Sequence, residues 1–437
     1  MENNMENKIK WCAIQPLTGG LYIGAEQAIG HKAEFILSFP GLGDADKVDK
    51  ETGEVLSAGN EYSLMKYLDK KNDRPDYRVF NRAMFQYDDD LDPEITESQW
   101  SLSSGPLDYS NMDLCVAVPV CSGLSRASFT MTNDERKKKN CNMLWITKYA
   151  LNKIQPRCYI FENAPAMMND AGTYVRKELE DIAREAGYSI CYYKTNTLYH
   201  HNAQKRLRTF IMFFKQDDMN NMQTPQLGFE HNTIDINEYL AQIPADATQQ
   251  YTLDPGPFND LFCAYYKNKF GDNWIDVIKD ITDYMTKNNL YEDIKTFTDG
   301  YDYDEKKKEQ FKRFVDHVKD KTERGMGFYN FVFHRNIGNT SRAVMFKTIM
   351  TQMHPTELRL MTIREHLWLM GMPFDFEIQG DYRTEYRKIG QNVPVKTAKW
   401  VVEQALDGLT NPENKKENKL VRYFDNVTMK EQTYEVA

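Results

Sequence analysis

The chain has 437 residues, 41% of them hydrophobic and 27% charged, with a formal net charge of −9. That length accommodates two domains with cores of their own, and the acidic balance excludes indiscriminate nucleic-acid binding while leaving room for a local basic cleft. No apolar run approaches the roughly 20 residues that span a bilayer, and Met1 to Lys8 lack the apolar core of a secretory signal, so a cytoplasmic monomer is expected.

In chain order, Ile9 to Ile14 reads as a strand, Gly19 and Gly20 as a turn, and Ala25 to Ala28 as part of a helix stopped by Gly30. Ala33 to Phe39 is a buried strand. From Pro40 to about Gly105 the composition turns polar and acidic, as in a surface elaboration, with Asp88, Asp89 and Asp90 in a run. Leu114 to Val118 and Tyr159 to Phe161 are short apolar runs of the kind that a parallel sheet buries on both faces. Leu144 to Leu151 has helical spacing, and Thr173 to Ala186 puts Val175, Leu179, Ile182 and Ala186 on one face before Gly187. Tyr188 to Tyr193 and Arg208 to Phe214 complete an alternation that predicts an α/β doubly wound sheet, with ligands beyond the carboxyl ends of its strands. Residues 215 to about 350 are polar, with helices around Trp274 to Met285 and Glu305 to Lys319. Helical pattern returns at His354, and beyond Gly408 the tail is polar and expected to be loosely ordered.

The seven cysteines, Cys12, Cys115, Cys121, Cys141, Cys158, Cys191 and Cys263, show neither a Cys-x-x-Cys pair nor zinc-site spacing. His200 and His201 are adjacent, so on a strand they face opposite ways, and no metal is expected. There is no Gly-x4-Gly-Lys-Ser/Thr loop for ATP.

Three segments carry candidate chemistry. Asp113 to Ser125 sets Cys121 just after a buried strand in a small-residue loop, where backbone N–H groups can favour a thiolate. Tyr159 to Pro165 ends an apolar strand on Glu162 and Asn163. Gln204 to Phe210 puts Arg206 and Arg208 at period two on the start of another. Each has a plain structural reading when taken alone: a buried thiol, a turn, an exposed basic edge.

Together and in this order they resemble the Pro-Cys, Glu-Asn-Val and Gln-x-Arg-x-Arg motifs of the DNA cytosine-5 methyltransferases. His354-Pro355, Arg359, Thr362 to Glu365 and Gly371 to Pro373 resemble the family's ninth motif, and Ile389 to Val395 its tenth. Gly19-Gly20, with Gly24, Glu26 and Gly30, is similar to the first. The resemblance implies a methyltransferase-like (Rossmann-like) mixed sheet with an inserted target-recognition domain. It divides the chain into a catalytic domain (1–215), that insert (216–350) and a return segment (351–437). It implies S-adenosylmethionine as donor and double-stranded DNA as partner, with a flipped cytosine in the site. Cys121 would then add to C6. Glu162 would hydrogen-bond N3 and the exocyclic amine, Asn163 would orient that carboxyl, and Arg208 would bind O2. Arg206 would contact phosphate or brace the pocket. The donor would lie against Gly19, Gly20, Leu21, Pro119, Gln391, Asn392 and Val393, and the DNA against Ser122, Ser125, Arg126 and Gln204. Arg136 to Lys139 would suit a loop that closes over DNA.

The departures gather in the donor half. Gln15 and Leu17 stand where the first motif has its Phe and first Gly, and no acidic residue ends the second strand near Ser38 to Pro40. Val120, Ser122 and Ala164 replace the usual Pro, Gln and Val, and Gln391 disturbs the tenth motif. Three readings follow. S-adenosylmethionine is held by other residues, including the acidic stretch between Gly41 and Gly105; or a variant one-carbon donor is used; or the chain binds and flips DNA with little turnover.

Overall fold

The computed structural model describes residues 8–38, 47–48, 55–57, 61–79, 107–119, 123–124, 142–252, 256–278, 281–325, 334–335, 341–342, 352–357, 359–379, 386–417 and 420–435. Strands β1 (Trp11–Ile14), β2 (Phe35–Ser38), β3 (Asp76–Val79), β4 (Leu114–Ala117), β5 (Cys158–Asn163), β6 (Tyr188–Asn196), β7 (Leu207–Lys215), β8 (Leu420–Asp425) and β9 (Lys430–Glu435) form one nine-stranded sheet. Their order across it is β9-β8-β6-β7-β5-β4-β1-β2-β3. The neighbours from β5 to β3 run parallel, β7 runs antiparallel between β5 and β6, and β8 lies parallel to β6.

Near-continuous burial explains the central strands, since β1, β4 and β5 have apolar residues on both faces. One face packs on α1 (Gly20–Ile29), α2 (Tyr62–Lys70) and α7 (Val395–Thr410), through residues such as Trp11, Ala13, Ile36, Leu64, Ile160 and Val401. The other packs on α3 (Thr173–Ala186) and a helix over residues 142–149, through Cys12, Ile14, Tyr159, Phe161 and Leu179. The chain leaves β1 for β2 and β3 on one side, then returns to β4 on the other. The carboxyl ends of β1 and β4 therefore flank a topological switch point, where open α/β sheets hold their ligands.

A third apolar cluster lies in a helical unit. It contains α4 (Gly256–Phe270), α5 (Tyr291–Gly300) and α6 (Glu305–Glu323), with Phe262, Tyr266, Trp274, Ile294, Phe311 and Val315 at its centre. The expected helix over Trp274 to Met285 is two short ones, Trp274–Val277 and Ile281–Lys287, and α4 and α5 join them. This second core starts at α4 rather than at residue 216, because Leu227, Ile234, Ile236 and Tyr239 are buried in the main body.

Two expectations are corrected. The polar stretch from Pro40 to Gly105 supplies α2 and the sheet's edge strand β3; Leu64, Met65 and Leu68 make α2 amphipathic, a signal that the surrounding acidic residues hide. The segment beyond Gly408 is ordered as the hairpin β8–β9 on the opposite edge. Its polar composition misleads because the charges are paired: buried Arg422 meets Glu431, and Asp425 meets Lys194 at 3.0 Å.

Candidate active site

The apolar run of β5 ends on Glu162 and Asn163, and Pro165 then opens a 3-10 turn (Pro165–Met168). Asn163 is fully buried; its Oδ1 accepts the Ala164 N–H at 2.8 Å, and its Nδ2 donates to Met143 Sδ at 3.5 Å. This holds the turn beside Glu162. Antiparallel pairing puts Phe210 opposite Glu162, so Arg208, two residues earlier on β7, lies diagonal to Glu162 on the same face. Its Nε comes within 2.5 Å of Glu162 Oε1, and its Nη1 donates back to the Leu207 carbonyl at 2.7 Å. Burial pushes the Glu162 carboxyl above its ordinary value, against the opposing pull of Arg208 and then Arg206. A carboxyl and a guanidinium side by side at a strand end can hydrogen-bond different edges of one planar ring.

Arg206 has a different place. It is 2% exposed, and its Nη2 donates to the carbonyls of Gly390 and Asn392 at 2.9 and 3.0 Å. Standing just before β7, it ties the start of that strand to the return segment. Gln204, expected on the DNA, is fully buried, with Nε2 donated to the Leu369 carbonyl at 2.8 Å. Its backbone forms a short parallel ladder with Ser341. The ninth-motif residues are also struts. Glu365 closes a capping box with Thr362 and receives both Nη groups of Arg359, while buried Arg364 donates to Thr248 and Pro373.

The first-motif and tenth-motif segments meet. Gly19 takes φ 99 as the cap of α1, and the Gly20 N–H donates to Asn392 Oδ1 at 2.7 Å. A Cβ on Gly20 would stand 1.8 Å from the Val393 carbonyl oxygen, so only glycine permits this approach. Leu21, Asn392 and Val393 are buried here, and Gln391 is exposed. Pro119 is buried at the end of β4, two residues before Cys121. Cys121 itself, with Val120, Ser122, Ser125, Arg126, Arg136 to Lys139 and Asp88 to Asp90, lies outside the described residues. Leu124, just beyond it, is buried against the sheet's second face.

The departures from the family pattern have a physical counterpart. Gln15 and Leu17, on either side of Pro16, take φ 50 and 52. Leu17 thus takes a left-handed φ that a glycine would adopt more freely. Sequence reading did not find Glu61, which is 1% exposed at the start of α2 and accepts the Tyr77 hydroxyl at 3.0 Å. The alternation of Leu64 and Leu68 behind it was the available signal. Among the described residues no group of three or more His, Cys, Asp or Glu could hold a metal, and no helix is long and apolar enough to cross a membrane.

The chain matches the family model "C-5 cytosine-specific DNA methylase" over residues 89–407, a span that begins after the Gly19–Gly20 segment. It is similar to the Type II methyltransferase M.Sau96I of Staphylococcus aureus, 24% identical over 261 residues, or 57% of this chain and 51% of that protein. The match thus spans about half the length of that relative. Among solved structures it resembles the methyltransferase EhMeth of Entamoeba histolytica, with a TM-score of 0.50 and 12% identity, covering 92% of this chain and 99% of the other. A DNA modification methyltransferase encoded within an E. coli prophage aligns with a TM-score of 0.49 and 15% identity, over 92% of this chain and all of its own. The fold is that of an α/β methyltransferase.

Proposed function

Because the chain belongs to the C-5 cytosine-specific DNA methylase family, we propose that it methylates C5 of cytosine in double-stranded DNA, with S-adenosylmethionine as donor. The observation that carries this reading is the buried Glu162–Arg208 pair at the carboxyl edge of the sheet, one strand away from the strand that leads to Cys121.

C5 of cytosine is a poor nucleophile, so a thiolate must first add at C6. In our reading Cys121 forms that Cys–C6 bond, and the ring's electron pair moves toward C5 and N3. Glu162, whose carboxyl burial raises above its ordinary value, hydrogen-bonds N3 and the exocyclic amine, and Arg208 donates to O2, so charge developing on the ring meets preset partners. After transfer, loss of the C5 proton and departure of the thiolate restore the aromatic ring. A base in a duplex cannot reach this depth, so the cytosine is flipped out, at a cost of about a few kcal/mol. Bound S-adenosylmethionine supplies an electrophilic methyl group. The residues present fit such a nucleoside donor: the Gly20–Asn392 clasp leaves room only for backbone, and Gln15 and Ser38 carry buried polar atoms with no hydrogen-bond partner among the described residues.

The helical unit is the segment we assign to the DNA duplex. On α6 the acidic side chains Glu305, Glu309, Asp316 and Asp320 are engaged by Lys308, Lys312, Lys295 and Arg324. Lys306, Arg313 and Lys321 have no such partner among the described residues and recur on one helical face over about 22 Å, a spacing suited to phosphates.

Nucleoside mass spectrometry of DNA from cells expressing the chain tests the proposal, with 5-methylcytosine expected. A different C5 substituent would support a variant one-carbon donor instead. Unmodified cytosine would support a DNA binder without turnover.

A further inference from the structure

The register of β1 with β2 ends at Ile14 beside Leu37, and the Gln15 N–H extends the ladder by donating to the Leu37 carbonyl at 2.7 Å. One step further along, Gln15 and Ser38 are neighbours at the carboxyl edge of the sheet. Ala13 and Ile36, two residues before them, belong to the core cluster shared with α1 and α2. Both side chains are fully buried, and Gln15 Nε2, Gln15 Oε1 and Ser38 Oγ have no hydrogen-bond partner among the described residues. Buried polar groups are almost always paired, so two adjacent unpaired ones call for a ligand. Gln15 is moreover held at φ 50 directly before Pro16, a conformation that an unconstrained glutamine avoids. The Gly19–Gly20 turn follows within five residues, and Leu64 of α2 packs at Gly19, so α2 and the start of α1 border this place.

Resting on the donor reading above, we propose that Gln15 and Ser38 form a neutral pair that binds the vicinal hydroxyls of the donor's ribose. This pair does the work that a carboxylate would do at the end of β2. A carboxylate only accepts hydrogen bonds. An amide and a hydroxyl carried by adjacent strands can each donate and accept, which matches two hydroxyls that do the same. The pair also explains why the strand can end in Ser38 with no acid: the two polar groups are contributed by two strands instead of one.

The test uses the full chain and S-adenosylhomocysteine as probe, with Gln15→Leu, Gln15→Met and Ser38→Ala compared by calorimetry and by melting without ligand. Groups that lack a partner in the free protein lose nothing when made apolar. The variants are therefore expected to melt at or above the parent temperature, yet to bind the probe about ten-fold more weakly or worse, as for one lost hydrogen bond. Binding equal to the parent's in all three would overturn the proposal and leave the donor reading standing. Lowered melting with unchanged affinity would do the same, marking the pair as partners of a buried water. A folded parent that does not bind the probe would overturn both.

Discussion

The Gly20 backbone N–H donates to the Asn392 side-chain oxygen at 2.7 Å, joining the first turn of α1 to a segment 372 residues away. The same asparagine accepts Arg206 Nη2 at its own carbonyl, so one residue ties together α1, β7 and the return segment. Asn392→Ala leaves a buried donor unpaired and should lower stability by about 1–3 kcal/mol. Asn392→Asp, which keeps the acceptor, should cost less. Gly20→Ala should be at least as damaging as either, because its methyl would meet the Val393 carbonyl. Urea unfolding checks all three.

Glu162 is expected to oppose folding at neutral pH. Its carboxyl is raised above the ordinary value, so its contribution is present in full at low pH and lost as pH rises through the folded-state value. Glu162→Gln should therefore match the parent near about pH 4 and melt higher than the parent at about pH 8, a gap that widens between the two. Turnover should fall sharply with DNA affinity little changed. A gap that closed as pH rose would contradict the raised carboxyl.

How far the sequence could be read depended on where order is local. The alternation around β1, β4 and β5, the Gly187 stop after α3 and the Glu162-Asn163 strand end were legible, because burial on both faces and a C-terminal glycine leave marks within a few residues. The hairpin β8–β9 was not, because Arg422 and Lys194 are neutralised by residues that only tertiary structure brings near. Gln204 and Arg206 carry the family's letters, but whether a polar side chain faces DNA or a backbone carbonyl depends on Leu369, Gly390 and Asn392, far along the chain. Leu17, standing where the family motif has a glycine, takes φ 52, a positive angle that its identity does not announce.

Arg206, just before β7, and Arg208, on it, should separate in their effects. Arg206→Ala removes two charge-assisted bonds to buried carbonyls, each worth about 1.5–3 kcal/mol, and should chiefly reduce stability. Arg208→Ala, at a partly exposed side chain, should chiefly reduce turnover at saturating DNA. Melting curves and single-turnover rates measured together would reveal a reversal of these roles.

The basic face of α6 should be visible in salt. Replacing Lys306, Arg313 and Lys321 with glutamine should flatten the dependence of log affinity on log salt by up to about 0.9 for each phosphate no longer neutralised. Thermal stability should hardly change, since none of the three is paired among the described residues. An unaltered slope would remove α6 from the DNA interface.

The central claim is that Cys121 attacks C6 of a cytosine held by Glu162 and Arg208. A duplex carrying 5-fluorocytosine at the target site, incubated with S-adenosylmethionine and the protein, cannot lose its C5 substituent as a proton and should trap the enzyme covalently. A denaturation-resistant adduct is expected for the parent and for Cys115→Ser, whose cysteine is buried in the sheet beside Cys12, and none for Cys121→Ser. An adduct that persisted in Cys121→Ser would contradict the claim.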